Sequence, residues 1–185
     1  LASDGYFIEA QQNQDYYNLL QTLCDANCFC RLEHKPFYDG NGKPNQPTGG
    51  CFQVGDIATS PPFAIQACVN LQGYMATIHS DAKQWFLMQQ FASKTQYWIG
   101  LNFTSYSDYQ WTDGYELEYN DNYFNWAPGQ PSCGGTKTCV YSQQVSGYNN
   151  QWFCDDCSAR AKARVYVCEL LPCSSAHFCN WIDNN

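Results

Sequence analysis

Basic residues are scarce in this chain. Nine Lys+Arg stand against 17 Asp+Glu, with three His, for a net charge of -8. Phosphate binding needs a basic surface, so nucleic acid is excluded as a partner. Long apolar runs are also missing: none approaches the roughly 20 residues of a membrane span. The first ten residues, LASDGYFIEA, carry neither a basic start nor a long apolar segment, and the reading is that any signal peptide has already been removed. Charged residues make up only 14% of the chain. No internal repeat is visible. There is no Ser/His/Asp arrangement and no base placed beside a nucleophile, so no enzyme is expected. His79 is read as a structural histidine.

Cysteines and aromatics are abundant instead. Twelve Cys in 185 residues is a heavy thiol load for a reducing compartment. The even count allows six bridges, and the chain is read as secreted and extracellular. Zinc would need paired CxxC motifs, and only Cys154 to Cys157 has that spacing. A redox pair at those positions would need a helix after it, whereas the sequence turns quickly into a strand. Aromatics make up 17%, including 14 Tyr and 6 Trp. An aromatic-rich, weakly charged surface of this kind suits binding.

Local signals give an α+β chain. Ile8, Tyr16, Leu19, Leu20 and Leu23 form an approximate helical stripe that packs on the main domain or makes a homodimer contact. Residues 35–50 are turn-rich and join an N-terminal extension (1–50) to the main domain (51–170). A cysteine-containing tail (171–185) follows. In the main domain Cys51–Val54 reads as a strand. Ser60-Pro61 opens a helix whose apolar face carries Phe63, Ala67, Cys68 and Leu71, and which stops at Gly73. Ser80-Asp81 opens a second helix, with Trp85, Phe86 and Met88, that ends near Lys94. Tyr97–Leu101 reads as a buried strand and Arg164–Leu170 as an alternating one. Residues 102–151 read as long irregular loops with one short strand at Cys139–Tyr141, and loops of that length are usually functional or stapled.

Several segments, in order, resemble the C-type lectin-like domain. They are Ala67-Cys68 through Ile78, Ser80 to Phe86, Trp98-Ile99-Gly100-Leu101, Trp111-Thr112-Asp113-Gly114, Asn125 to Pro131 and Val167-Cys168-Glu169. The match spans about residues 51–170. The resemblance implies two helices, small antiparallel sheets and a long disulfide-stapled loop region. It also implies the bonds Cys68–Cys168 and Cys139–Cys157, and a bond from Cys51 to Cys30 or Cys28.

The resemblance further implies a test for calcium. Sugar-binding members hold Ca²⁺ with a Glu-Pro-Asn or Gln-Pro-Asp triplet, a Glu two residues before the inner cysteine, and an Asn-Asp pair after a Trp. Here the triplet is Gln130-Pro131-Ser132, the Glu position is Lys137, and Phe153-Cys154 follow Trp152. No carboxylate stands at any of the five positions, so no metal and no cofactor are expected there. Asp155 and Asp156, shifted by two, are the counter-reading. The extra cysteines Cys133 and Cys154 sit at the vacated site. A bond between them would tether the loops as the ion does, and partners at Cys173 or Cys179 are the alternative. That leaves Cys24, whichever of Cys28 and Cys30 does not bond Cys51, Cys173 and Cys179, for a bond from the N-terminal extension to the tail or a local Cys173–Cys179 bridge.

The expected ligand contacts are Tyr123, Gln130, Ser132, Lys137, Tyr148, Asn149 and Asn150, with Tyr115 and Tyr119 nearby. Asp108, Asp113, Glu116, Glu118, Asp121, Asp155 and Asp156 form either a solvated acidic face or a host for an auxiliary calcium. Asn102-Phe103-Thr104 is a glycosylation sequon, expected in an exposed loop. The leading reading is a secreted, non-catalytic C-type-lectin-like module binding a glycan or an extracellular protein without the usual calcium. The alternatives are a lectin using a shifted or auxiliary calcium, and a structural or ice- or mineral-binding protein. Fold alone does not choose among them.

Overall fold

The computed structural model describes residues 30, 34–37, 50–91, 96–104, 108–114, 116–117, 123–146 and 149–170. The N-terminal stripe, Tyr115, Tyr119, Tyr148, Glu118, Asp121, Cys24, Cys28, Cys173 and Cys179 lie outside them. The chain divides into two units, Leu1–Cys51 with Leu171–Asn185, and Phe52–Leu170. In the first, Cys30 is bonded to Cys51 across 21 positions. Around the two-residue strand β1 (Lys35–Pro36), Phe37 is buried and its N–H donates to Gly50 O at 3.1 Å.

The second unit contains two ten-residue helices and a mixed sheet. β2 (Cys51–Val54) begins at the boundary. α1 (Pro61–Asn70) starts at Ser60 with Pro61 in its first turn, where the missing N–H costs nothing. The Ser60 hydroxyl makes no capping bond. The buried face of α1 is Pro61, Ala64 and Cys68. Phe63, expected on that face, is 59% exposed. The helix ends at Asn70, and the left-handed residue after it is Gln72 (φ 62°). Gly73 is needed for a different reason: a Cβ there would overlap the Glu169 carbonyl of the closing strand.

β3 (Tyr74–Met75) follows, then α2 (Asp81–Gln90). The Ser80 hydroxyl accepts from Lys83 N at 3.2 Å, and Asp81 in the first turn favours the positive helix end. The face turned inward carries Lys83, Gln84, Leu87 and Met88, whereas Trp85 is 45% exposed. Two polar residues are therefore core, and each has a partner. Lys83 Nζ lies 2.7 Å from Glu169 Oε1 and donates to Thr77 Oγ1 at 3.2 Å. Gln84 Oε1 accepts from Trp152 Nε1 at 2.9 Å.

β4 (Gln96–Phe103), β5 (Tyr109–Trp111), β6 (Cys139–Ser146), β7 (Asn149–Asp155) and β8 (Val165–Leu170) complete the sheet. The strand order is β2-β8-β4-β6-β7, with β3 on β8 and β5 on β4. β4 and β8 run parallel, while β4–β5, β4–β6, β6–β7 and β3–β8 are antiparallel. The loop expected over 102–151 is thus partly a long hairpin. Val140 and Ser142 on β6, with Asn150, Trp152 and Cys154 on β7, turn inward and are buried. Tyr141, Gln143, Gln151, Phe153 and Asp155 alternate with them on the other face.

The core gathers Trp98, Trp111, Trp152, Tyr97, Phe52, Ile78, Leu87, Leu101, Val140 and Val167, all fully buried. Cys68 on α1 bonds Cys168 on β8, with Cα atoms 5.2 Å apart. Gly100 sits in β4, packed against β3 and the 111–114 turn. A Cβ there would overlap the Met75 carbonyl oxygen and Thr112 Oγ1, and these atoms bond each other at 2.6 Å. Gly100→Ala is therefore expected to cost about 3 kcal/mol or more through overpacking, read as a lowered urea midpoint. A loss under about 1 kcal/mol would show that β3 and the 111–114 turn can shift freely.

Candidate functional site

The loop 123–138 is folded onto the free edge of β7. Trp152 N donates to Asn125 O at 2.7 Å and Ala127 N to Trp152 O at 3.1 Å. The Asn125 side-chain amide donates to Asn150 O. Farther along, one atom gathers the loop: Gln130 Oε1 accepts from Ser132 N at 3.0 Å, Ser132 Oγ at 3.1 Å and Cys154 N at 3.1 Å. The Gln130–Pro131 peptide is cis. Cys133 is bonded to Cys154, with Cα atoms 5.2 Å apart. A tight turn follows, closed by reciprocal Gly134–Lys137 backbone bonds of 3.0 Å, with Gly135 at φ 59°. Cys139 bonds Cys157 across 18 positions, and Cys157 N donates to Thr136 O at 3.0 Å.

These residues do not fit a calcium ion. The Gln130 oxygen already holds three protein donors. Lys137 brings a cation to the site, and Phe153 and Cys154 supply no oxygen side chain. Asp155 Oδ2 pairs with Arg164 Nη2 at 2.6 Å and its Oδ1 accepts from Asp156 N at 2.8 Å. Asp156 accepts from Ser158 N at 3.0 Å and Ser158 Oγ at 2.8 Å. These bonds hold the Asp156 carboxyl below the usual carboxylate range. All four oxygens of the shifted pair thus serve local structure, whereas Ca²⁺ takes six to eight oxygens. Among the described residues no group of three or more His, Cys, Asp or Glu is arranged to hold a metal. Asp108 and Glu116 are exposed, and Asp113 pairs with His79 at 2.7 Å.

The expected ligand contacts divide into two groups. Gln130 is half-buried, and Ser132 and Lys137 are exposed, all on the 130–137 loop. Asn149 opens β7. Asn150, expected on an exposed loop, is only 5% exposed. Its amide donates to Tyr97 OH at 3.3 Å and Ser142 Oγ at 3.4 Å, so it is a core residue. Burial pushes the Tyr97 hydroxyl pKa up, against those bonds. Tyr123 packs edge-on against Trp152 with centroids 5.7 Å apart. Burial and the Asp81 charge push its hydroxyl pKa up as well. It supports the loop more than it faces outward. Asn102 lies within β4, half-buried and paired with Gln110 on β5 and Cys139 on β6. The sequon thus begins within β4 and ends just past it at Thr104, and not in an exposed loop.

Sequence reasoning missed a column of rings on the outer sheet face. Phe153 stacks on Tyr141 (centroids 5.4 Å, 19° between planes). The Arg164 guanidinium lies 3.7 Å from the Tyr141 centroid and 4.4 Å from that of Trp98. Arg164 Nε donates to Gln96 Oε1 at 3.1 Å. The signal was present as alternation, Tyr141 and Gln143 against Gln151 and Phe153, but glutamines obscured it.

The family model of the Lectin C-type domain matches residues 62–170. This chain belongs to that family. Mouse low affinity immunoglobulin epsilon Fc receptor is 37% identical over 122 residues, 65% of this chain and 34% of the receptor. The chain thus spans about a third of that relative's length. The cow CD23 carbohydrate-recognition domain, solved in the presence of a GlcNAc2Man3 oligosaccharide, is 26% identical. It covers 80% of this chain and 99% of its own, at a TM-score of 0.62. A calcium-independent type II antifreeze protein is 20% identical with a TM-score of 0.63, over 79% of this chain and 97% of its own. That likeness shows the fold alone. Among the described residues of this C-type lectin domain, no helix is long and apolar enough to cross a membrane.

Proposed function

We infer that the Phe52–Leu170 unit is a secreted, non-catalytic recognition module whose ligand loops keep their shape without calcium. The observation that carries this is the Gln130 oxygen with its three donors, beside the Cys133–Cys154 bond. Gln130 ties the triplet loop to β7, and the disulfide ties the same two segments again. In calcium-holding members of the family the ion does that job. The likeness to the cow CD23 carbohydrate-recognition domain, solved in the presence of an oligosaccharide, supports a glycan as ligand, and the Fc receptor relative supports a protein one. Among the described residues the site sets no base beside a nucleophile, which supports a binding role over a catalytic one.

A glycan array probed with the full chain, with and without EDTA, tests the reading. The expected outcome is a retained signal that EDTA leaves unchanged. A signal abolished by EDTA and restored by Ca²⁺ would favour a calcium-dependent lectin instead.

A further inference from the structure

We propose that the outward face of α1 is an interface between two copies of this chain, which form a weak two-fold dimer with their α1 helices antiparallel. It stands independently of how the ligand loops are held.

A surface helix usually carries charge on its outward face. This one carries none. Residues 57–80 contain no Asp, Glu, Lys or Arg, and α1 lies wholly within them. Its buried residues are Pro61, Ala64 and Cys68, while Pro62, Phe63, Gln66, Val69 and Asn70 are exposed. At about 100° per residue these five cover about a third of the helix circumference. Six large apolar side chains are exposed among the described residues, and three of them, Ile57, Phe63 and Val69, lie on α1 or just before it, at 78%, 59% and 53% exposure. The other three, Trp85, Phe124 and Val145, stand on separate segments.

Charge, helix ends and symmetry select a second copy as the occupant. Each copy has a net charge of -8, so two copies approach with least repulsion across a face that bears no charge. The ends of α1 lack compensation from its own side chains: no acid stands in the first turn, no base in the last, and Ser60 makes no capping bond. An antiparallel neighbour lays each end beside the opposite one and supplies it.

The face is also complementary to itself. Pro62 and Val69 stand seven positions apart on one flank, Phe63 and Asn70 on the other, with Gln66 between them. A two-fold axis across antiparallel helices reverses each flank onto itself. Val69 then meets the second copy's Pro62, Phe63 meets Asn70, and Gln66 meets Gln66. Gln66 Nε2 donates to Asn70 Oδ1 at 2.9 Å. Gln66 Oε1 and the Asn70 NH₂ keep no side-chain partner among the described residues, and an identical amide pair opposite them offers donor to acceptor in both directions. Ten helical residues span about 15 Å. That supplies about half of the roughly 800 Å² each side of a stable interface buries, so the dimer dissociates at about 10 μM to 1 mM. Two ligand loops on one dimer gain avidity for a multivalent surface with no new contact.

Sedimentation equilibrium of the full chain from micromolar to millimolar concentration is the test. The proposal expects reversible dimerisation that tightens as salt screens the like charges of the two copies. Phe63→Glu, an exposed change, should leave the urea midpoint in place and weaken the dimer about tenfold or more. Gln66→Glu and Gln66→Lys should each weaken it alone, and an equimolar mixture of the two should restore it, because each copy's position 66 faces the other's. A chain that stays monomeric at 1 mM would overturn the proposal, as would a dimer that survives dilution or is loosened by salt. A dimer indifferent to Phe63→Glu would place the contact elsewhere and overturn it too. A mixture no tighter than its components would overturn the two-fold geometry. A monomer whose α1 side chains resist surface labelling would show the face covered by the chain's own segment, and would overturn the second copy as occupant. None of these outcomes bears on calcium or on the ligand loops.

Discussion

Replacing Cys68 and Cys168 together by alanine is expected to lower stability by about 4–5 kcal/mol, because the bridge closes a loop of 100 positions. It joins α1 to the closing strand β8 and so ties the two ends of the domain. Without it the denatured chain gains the freedom of nearly the whole domain. The Cys133–Cys154 and Cys139–Cys157 bridges close loops of 21 and 18 positions, and the same argument gives about 3 kcal/mol for each. Urea unfolding of the non-reduced variants checks the order. The long bridge should produce the largest fall in midpoint, with a steeper slope as the denatured state expands. A smaller fall than for either short bridge would mean that loop length does not govern these bonds.

Glu169→Ala is the second large effect. Lys83 is 7% exposed and Glu169 4%, and they meet at 2.7 Å. Glu169 Oε2 also accepts from Thr77 N and Thr77 Oγ1, both at 3.0 Å, so this carboxylate holds α2, β8 and the segment after β3 together. Removing it strands a buried ammonium, at a cost of about 3–5 kcal/mol. Replacing Lys83 and Glu169 together by methionine and leucine should cost far less, since no unpaired charge remains. Equilibrium denaturation of the single and double variants gives the comparison. Equal losses in both would place the energy in packing and not in the ion pair.

The sequence showed those parts of the fold that depend on strong local signals. Ser60-Pro61 and Ser80-Asp81 mark both helix starts, and the buried strand Gln96–Phe103 shows as a continuous apolar run at Tyr97–Leu101. The inner faces of the helices were harder to read. Lys83 and Gln84 are buried because partners more than 60 positions away satisfy them, and no periodicity records that. Phe63 fails in the opposite sense: α1 turns it outward because Ala64 and Cys68 fit the sheet. The β6–β7 hairpin was hidden by Gln143, Gln144, Asn150 and Gln151, polar residues outside the β-branched and aromatic set that marks strands, which pair across the sheet here. At the site, the missing carboxylates were legible at each of their positions. The commitment of Gln130 to Ser132 and Cys154 was not, because it depends on the folded loop.

The central claim is that sulfur and the Gln130 amide, and not calcium, hold the ligand loops. Isothermal titration calorimetry of Ca²⁺ into the EDTA-treated, dialysed full chain tests it most directly. The account predicts no heat of binding at sub-millimolar Ca²⁺. Sub-millimolar binding that is lost on changing Asp155 or Asp156 would contradict it.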